Sequence, residues 1–403
     1  MKDEIKMEDE IKMEIEMENE VDMKDENNMK DEIKMEIEME NEIEIEMKNY
    51  DLYETIRSIT KPDEASKTRA KDRWNNIAKP LNSLGKLEDL IVKAAGIFGN
   101  EPIEFSKKGV IVMCADNGVV DEGVTQVSNE VTATVARNMT KGMATINILS
   151  SKNNADVFVI DIGIAADMSD VPIIPRKILF GTRNMAIESS MSMPEAVKAI
   201  EIGISMAHEL KNKGYKLIAT GEMGIGNTTT SSAIASVLLG KNATEVTGRG
   251  AGLSDKALIK KIQVIDQAIA LLKPDPDNPI DVLSKVGGLD IAGLAGVFIG
   301  GASAKIPILI DGFISSVAAL TAIRICPDVR EYIYATHISY EPAGKMVLEA
   351  LGLPAFLDLN MCLGEGTGAV MAFPIFDLAV EVYNKMASFE EASIVTYVPQ
   401  EPI

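Results

Sequence analysis

Cysteines, histidines and long apolar runs are scarce in this sequence, and each shortage excludes a class of protein. Its 403 residues include three cysteines, Cys114, Cys326 and Cys362, whose spacing predicts neither a metal site nor a disulfide framework. We therefore expect a reducing, cytoplasmic environment. No run of about 18 apolar residues and no basic-then-apolar leader occurs, so we expect neither a membrane span nor secretion. The two histidines lack the partner motifs of a Ser-His-Asp or Cys-His site, and we predict no metal and no cofactor.

Positive charge is also scarce. The 40 Lys and Arg residues face 61 Asp and Glu residues, which gives a net charge of −21 and disfavours nucleic acid as a partner, because phosphate backbones need a basic face. Residues 1–50 hold 7 lysines and 20 acidic residues, and repeat IKMEIEMENE at 11–20 and 33–42. Without an aromatic residue before Tyr50, this segment cannot bury enough apolar surface to fold alone. We predict a disordered, acidic low-complexity repeat, with a partner-binding arm as the alternative.

From Asp51 onward the pattern is that of a folded α/β protein. Helical spacing of apolar residues covers 51–98 and breaks at Pro80 and Gly85. Short, continuous apolar runs then alternate with helical segments, which predicts strands buried on both faces of a parallel sheet. The predicted strands are residues 109–116, 155–164, 216–222, 305–313 and 331–339.

Each predicted strand ends in a polar or small residue. Ligands of open parallel sheets bind at the carboxyl ends of the strands, so these residues are expected to converge on one crevice. The alternative for any single aspartate is an N-cap of the following helix. The strand-end residues are Asp116, Asp161 with Gly163, Glu222, Asp311 with Gly312, and His337 with Ser339.

The stretch KLIATGEMGIGNTTTSSAIASVLLG, residues 216–240, changes from a strand pattern to a helix pattern across three glycines. Such a turn exposes backbone amides at a helix N-terminus, where an anion binds well. Its spacing is almost that of a P-loop, but Asn227 stands where that motif needs lysine, and Glu222 adds negative charge. We predict a monophosphate site beside a carboxylate. The alternative is a strand-to-helix turn whose glycines serve packing alone.

Two later glycine-rich stretches add candidate residues. The pattern of residues 246–265 predicts a glycine loop, an N-cap at Ser254 and then a helix. Lys260 or Lys261 of this helix could close on the phosphate, and the alternative is a solvated lysine pair. In LGEGTGAVMAFPIFDLA, residues 363–379, Glu365 lies between two glycines just before a helical run. Partial desolvation would make this carboxylate a useful base, whereas the alternative is a helix cap. Residues 286–306 predict a tightly packed helix without a ligand role.

Six long motifs resemble the nicotinate-nucleotide:dimethylbenzimidazole phosphoribosyltransferase family, in family order across about residues 51–400. They are ADNGVVDEGVTQ (115–126), GEMGIGNTTTSSAI (221–234), GRGAGL (248–253), DGFISSVAAL (311–320), THISYEPAG (336–344) and LGEGTGA (363–369). The resemblance implies a doubly wound, mostly parallel Rossmann-like domain over 51–403, with a smaller helical domain built from residues 51–105 and the C-terminal segment. It also implies a homodimer.

The resemblance further implies transfer of the 5-phosphoribosyl group from nicotinate mononucleotide to 5,6-dimethylbenzimidazole, giving α-ribazole 5′-phosphate and nicotinate without a metal. Glu365 matches the general base of the family. Lys261 is preferred over Lys260 by register alone. Joined with the strand ends and glycine positions, the predicted substrate-binding residues are Glu222, Gly224, Ile225, Gly226, Asn227, Thr228, Gly250, Lys261, Asp311, Gly312, Ser339, Gly364, Gly366, Asp116 and Ser128.

Two departures from the family pattern leave the acceptor open. Asn117 stands where many members have histidine, and Gln126 to Asn129 replaces a Tyr-Pro-Gln run, near the base pocket of the family. Another benzimidazole, adenine or a phenol is therefore an alternative acceptor. A non-catalytic mononucleotide sensor on the same fold is the second alternative, and the presence of Glu365 speaks against it.

Overall fold

A computed structural model describes residues 50–397, so the acidic repeat predicted for residues 1–50 lies outside the described residues except for Tyr50. At the centre is a six-stranded sheet in the order β3-β2-β1-β4-β5-β6, with every neighbouring pair parallel. This order places the topological switch point between β1 and β4. The strands are β1 (Lys108–Ala115), β2 (Ala155–Gly163), β3 (Ile174–Pro175), β4 (Leu217–Met223), β5 (Ile308–Ile310) and β6 (Ile333–Ala335).

The parallel α/β architecture expected from the sequence is confirmed. All eight residues of β1 are buried, as the uninterrupted apolar run predicts for a strand covered on both faces. Strand β5 is shorter than the apolar run 305–313, because Lys305 has a left-handed φ of 53° and Pro307 has no N–H to donate. The two-residue strand β3 was not predicted, since so short a segment carries no periodicity.

Helices connect successive strands except β2 and β3, and two short 3₁₀ segments at Gly118–Glu122 and Pro327–Tyr332 complete the described elements. The predicted N-cap at Ser254 is confirmed, because its side chain accepts a hydrogen bond from the amide of Ala257. The helices are α1 (Leu52–Ser58), α2 (Glu64–Asn76), α3 (Lys86–Phe98), α4 (Glu130–Thr140), α5 (Thr145–Lys152), α6 (Met193–Asn212), α7 (Asn227–Leu239), α8 (Ala243–Val246), α9 (Asp255–Leu272), α10 (Pro279–Val286), α11 (Leu289–Ser303), α12 (Phe313–Ile325), α13 (Gly344–Leu351) and α14 (Thr367–Lys385).

Helix α11 is the most buried helix packed on the sheet, and its small residues let helix α6 approach it closely. Residues 289–302 of α11 are all buried. A methyl group on Gly203 would lie under 3.0 Å from the carbonyl oxygen of Gly293, and one on Gly296 would meet the carbonyl of Ile200. The two backbones are therefore in direct contact, which confirms the tightly packed helix predicted for 286–306.

The segment after helix α2 contacts the segment after helix α14. The amide of Ala78 donates to the carbonyl of Ala387 at 3.0 Å, and the amide of Phe389 donates to Asn76 at the same distance. These bonds join the N-terminal helices to the C-terminal segment, while their separation as a small domain stays a prediction. Among residues 50–397, no helix combines the length and apolar character needed to cross a membrane.

Candidate active site

A cavity of about 320 Å³ opens at the carboxyl ends of β4, β5 and β6. It lies beside the switch point, where ligands of doubly wound sheets bind. Strand β4 contributes Glu222, β5 is followed by Asp311, and β6 is followed by His337 and Ser339. Thirteen residues of the predicted site line this cavity, namely Glu222, Gly224, Ile225, Gly226, Asn227, Thr228, Gly250, Lys261, Asp311, Gly312, Ser339, Gly364 and Glu365.

Three residues of the predicted site do not line the cavity. Asp116 is fully buried behind it, where its carboxylate accepts from the amide of Ala165 at 2.8 Å. Gly366 is buried at the start of helix α14, and Ser128 is exposed before helix α4. Of the other strand ends, Asp161 pairs with Lys177 at 3.0 Å and also stays outside.

One end of the cavity is built to hold an anion. Gly226 takes a left-handed φ of 92° so that helix α7 can begin at Asn227, and the N-terminal end of this helix, with its partial positive charge, lines the cavity. The ammonium group of Lys261 donates to the Thr228 hydroxyl at 2.8 Å, and a methyl group on Gly250 would lie 2.8 Å from the same hydroxyl. Burial lowers the pKa of Lys261 to about 8. A bound phosphate would restore its full positive charge.

The structure distinguishes the two lysines that the sequence left open. Lys261 is 1% exposed and lines the cavity. Lys260 is exposed on another side of α9, near Gly123. Only Lys261 can reach the turn at the start of α7.

The other end of the cavity carries carboxylates. Glu222 is buried, its carboxylate accepts a hydrogen bond from the side-chain amide of Asn227, and its second oxygen packs against Gly364. Burial, and then the neighbouring charge of Asp290, raise the pKa of Glu222 to about 8. Glu222 is therefore mostly neutral at neutral pH, and a cationic ligand would favour its ionised form.

The loop that carries Glu365 is held in an unusual conformation. Gly364, Glu365 and Gly366 have φ values of 88°, 62° and 93°, so a residue with a side chain sits in the left-handed region between two glycines. The carboxylate of Asp311 fixes this loop: it accepts from the amides of Gly366 at 3.0 Å and Gly368 at 2.8 Å. Asp311 thus also caps helix α14.

The side chain of Glu365 is partly buried and poorly satisfied. One carboxylate oxygen has no hydrogen-bond partner, while the amide of Ile146, at the start of α5, donates to the carboxylate. Burial raises the pKa of Glu365, and this effect outweighs the opposite effect of the amide. Glu222 packs against Gly364, the residue before Glu365, and both carboxyls line the same cavity. A carboxylate with these properties suits a general base.

An apolar wall completes the cavity. Met223 and Ile314 lie near the strand ends, Val124 is buried in the segment between β1 and α4, and Val127 and Leu363 are exposed side chains of loops. Such a wall accepts a flat heterocycle, with the carboxylates available to its nitrogens. Among residues 50–397, no group of three or more His, Cys, Asp or Glu side chains is arranged to hold a metal ion.

Three residues that contact the cavity lining were not predicted from the sequence to do so, namely Asp290, Asn117 and Glu341. Asp290 is fully buried in the first turn of α11 and accepts from the Asn227 amide at 2.9 Å. The available signal was that Asp290 is the only charged residue in α11. Asn117 is fully buried and donates to the carbonyl of Ile225, and Glu341 lies by Gly248 and Lys261.

Comparison with known proteins shows the family of this chain and its fold. A phosphoribosyltransferase family model matches residues 59–394. Nicotinate-nucleotide–dimethylbenzimidazole phosphoribosyltransferase of Acetivibrio thermocellus is 51% identical over 349 residues, which cover 87% of this chain and 99% of the relative. The protein of the same name from Clostridium acetobutylicum is 50% identical, and the match covers 85% of this chain and 98% of that relative. The crystal structure of CobT from Thermus thermophilus superposes with a TM-score of 0.79 at 37% identity, covering 82% of this chain and 99% of that one.

Proposed function

Because the chain belongs to the nicotinate-nucleotide–dimethylbenzimidazole phosphoribosyltransferase family, we propose that it transfers the 5-phosphoribosyl group of nicotinate mononucleotide to 5,6-dimethylbenzimidazole. The products are α-ribazole 5′-phosphate, used for the nucleotide loop of cobalamin, and nicotinate. The relatives are matched over nearly their whole length, so the proposal covers the complete reaction.

The two unlike ends of the cavity are the observation that carries the proposal. The N-terminal end of α7, with Thr228 and Lys261, holds the 5′-phosphate. Glu222 and Glu365 line the other end and face the base and the anomeric carbon. Binding the phosphate at a distance orients C1′, so remote binding energy lowers the entropic part of the barrier.

Glu365 is the general base of the proposed mechanism. It takes the N–H proton of the incoming benzimidazole, and the lone pair of the other ring nitrogen forms the new bond to C1′. The bond from C1′ to the nicotinate nitrogen breaks, and its electron pair stays on that nitrogen, which neutralises the pyridinium ring. No acid is needed for this leaving group. The raised pKa of Glu365 brings it closer to the operating pH, where a base is most effective.

Glu222 stabilises the positive charge that develops on the sugar. The transition state resembles an oxocarbenium ion, and an ionised carboxylate in a buried site stabilises such a cation more than one in water. The cationic pyridinium of nicotinate mononucleotide favours ionisation of Glu222 on binding, although burial raises the pKa of this carboxyl to about 8. The substrate itself thus prepares the charge that the transition state requires.

Product formation by the purified protein tests the proposal. Nicotinate mononucleotide and 5,6-dimethylbenzimidazole should yield α-ribazole 5′-phosphate, detected by mass spectrometry. Glu365→Gln should lower kcat by about 10² to 10⁴ with little change in nicotinate mononucleotide binding, because the amide cannot take the proton. Glu349→Gln, on the exposed face of α13, is the matched control and should behave as wild type.

Two outcomes of this experiment would overturn the proposal. Binding of nicotinate mononucleotide without any turnover, unchanged by Glu365→Gln, identifies a sensor. Turnover only with adenine or a phenol in a panel of acceptors identifies another lower-ligand base. Gln126 and Val127 line the cavity mouth, so the acceptor contacts residues that depart from the family pattern.

A cytoplasmic homodimer is the assembly we propose. The free cysteines of the chain support the compartment. Exposed apolar side chains support a subunit contact, since Ile148 on α5 and Leu378 on α14 are both 62% exposed. Light scattering coupled to gel filtration measures the mass, and a monomer at micromolar concentration would exclude the dimer.

A further inference from the structure

Asp290 lies outside the cavity, yet it contacts the residues that shape it. It occupies the first turn of helix α11 and is 0% exposed. Its Oδ2 accepts from the Asn227 side-chain amide at 2.9 Å, and a methyl group on Gly224 would lie 2.9 Å from the same oxygen. Asp290 therefore packs directly beneath the glycine turn that precedes α7.

The same amide nitrogen of Asn227 also donates to Glu222. An amide NH₂ group has two hydrogens, and here each is directed at a different carboxylate. The two acceptors fix the amide orientation: a flipped Asn227 would place its carbonyl oxygen against both acidic groups. Glu222 is thus held through Asn227 by a residue that no ligand in the cavity needs to touch.

We infer that Asp290 is a positioning residue for the transferase reaction, holding the Asn227 amide so that Glu222 is aimed at the sugar. The inference rests on the proposed function of Glu222. A buried carboxylate is costly unless a specific geometry requires it, and the first turn of α11 could be capped by a residue exposed to solvent as elsewhere in this chain. The backbone amides of Asp290 and Ile291 also donate to this carboxylate, and they hold it in the orientation in which it faces Asn227.

Electrostatics link the same two carboxyls. Burial raises the pKa of Asp290 to about 6, and its charge is the second cause of the raised pKa of Glu222. Of the charged groups around the pair, Asp311 and Glu365 act on Glu222 and Asp116 acts on Asp290, all in the same direction. Replacing Asp290 by a neutral residue should therefore lower the pKa of Glu222.

A double-mutant cycle tests the inference on the full-length protein. Asp290→Ala should lower kcat about tenfold to a hundredfold, because Glu222 loses its orientation. In a Glu222→Gln background, Asp290→Ala should lower kcat by less than about threefold, since the residue through which Asp290 acts has already lost its function. Asp290→Asn keeps one acceptor oxygen, so its kcat should lie between that of Asp290→Ala and that of the wild type. If Asp290→Ala does not fold, Asp290→Asn replaces it in the cycle.

Asp281→Asn is the matched control, because Asp281 is in the first turn of the neighbouring helix α10 and outside the cavity; its kcat should be unchanged. Equal losses from Asp290→Ala in both backgrounds would assign Asp290 a role in folding alone and overturn the inference.

A second readout does not require turnover. The ¹³C chemical shift of the Glu222 carboxyl reports its titration, and Asp290→Asn should move the midpoint to lower pH while Asp281→Asn leaves it in place. An unmoved midpoint overturns the link between the two carboxyls. If the wild type makes no α-ribazole 5′-phosphate, the proposed function fails, whereas the titration still decides whether Asp290 governs Glu222.

Discussion

In the proposed function, single side chains divide the cavity into a part that binds the anionic ligand and a part that transfers the proton. Lys261 is the clearest example, because its neighbour Lys260 has the same chemistry and a contrasting environment. Lys261 donates to a neutral hydroxyl, and the attraction of nearby Glu341 does not offset its burial, which lowers the pKa of Lys261, so a further counter-charge from a ligand would favour its charged form. The phosphate of the nucleotide is that counter-charge in the proposed function.

Lys261→Met should raise the KM for nicotinate mononucleotide about tenfold or more, with a smaller change in kcat. The loss of one charge-assisted hydrogen bond to phosphate has this magnitude, and methionine fills the buried volume without the cost of a buried charge. Steady-state kinetics with varied nicotinate mononucleotide measure the effect. Lys260→Met is the control and should match the wild type; equal KM values for the two variants would exclude Lys261 from the phosphate site.

Glu222→Gln should stabilise the protein against unfolding while reducing its activity. A carboxyl whose pKa is about 8 when folded and 4.5 in the reference state keeps its proton in the folded form between those pH values. The folded state then binds more protons than the unfolded state, so this group's contribution to stability falls as pH rises from about 4.5 to 8. Glutamine does not ionise, so the variant lacks this fall in stability with pH. Its free energy of unfolding at pH 8 should therefore exceed that of the wild type by a few kcal/mol.

Urea unfolding at pH 5 and pH 8 checks this prediction. The increase in the free energy of unfolding caused by Glu222→Gln should be larger at pH 8 than at pH 5. Glu349→Gln, at an exposed position, should give no difference between the two pH values. A Glu222→Gln variant that is destabilised at pH 8 would mean that the carboxyl is ionised in the folded protein.

At the scale of elements, the crossing of α6 and α11 holds the back of the site in place. Asp290 begins α11, and the Gly203, Gly293 and Gly296 contacts determine how closely that helix approaches α6. Because backbone atoms meet there, the crossing cannot relax by rotating a side chain.

Gly203→Ala should lower the free energy of unfolding by about 2 kcal/mol or more, although alanine favours helix by about 1 kcal/mol. The added methyl would press on the carbonyl of Gly293, and one helix must shift. Gly96→Ala in α3 is the matched control, because its methyl meets the flexible side chain of Lys67 and the ring of Pro62. Denaturant unfolding measures both, and a loss at Gly203 no larger than at Gly96 would contradict the argument.

Elements with a strong local pattern could be predicted from the sequence. The β1 run, the Ser254 cap and the glycine turn before α7 each follow from composition and spacing over fewer than about ten residues. The long motifs shared with the family allowed the cavity residues to be named. Asp290 could not be assigned in this way, because its partner Asn227 is 63 residues away in the sequence. A contact of that kind depends on how two helices pack.

For the whole molecule, charge and site are separated along the sequence. All residues that line the cavity fall between Val124 and Thr367, and the family match begins at residue 59. Residues 1–50 carry 13 of the 21 net negative charges. The residues proposed to bind both substrates are therefore distant in sequence from this acidic repeat. Nicotinate mononucleotide is itself anionic, so the repeat and this substrate carry charge of the same sign.

Removal of residues 1–48 should therefore leave kcat within about twofold of the full-length value at physiological salt, where charges beyond about 8 Å are screened. At about 10 mM ionic strength the shortened protein should show a lower KM for nicotinate mononucleotide, because the repulsive field of the acidic repeat is gone. Kinetics of both forms at the two salt concentrations measure this. A tenfold loss of kcat on shortening would instead assign the repeat to the catalytic unit, and a KM that is independent of salt in both forms would contradict the electrostatic argument.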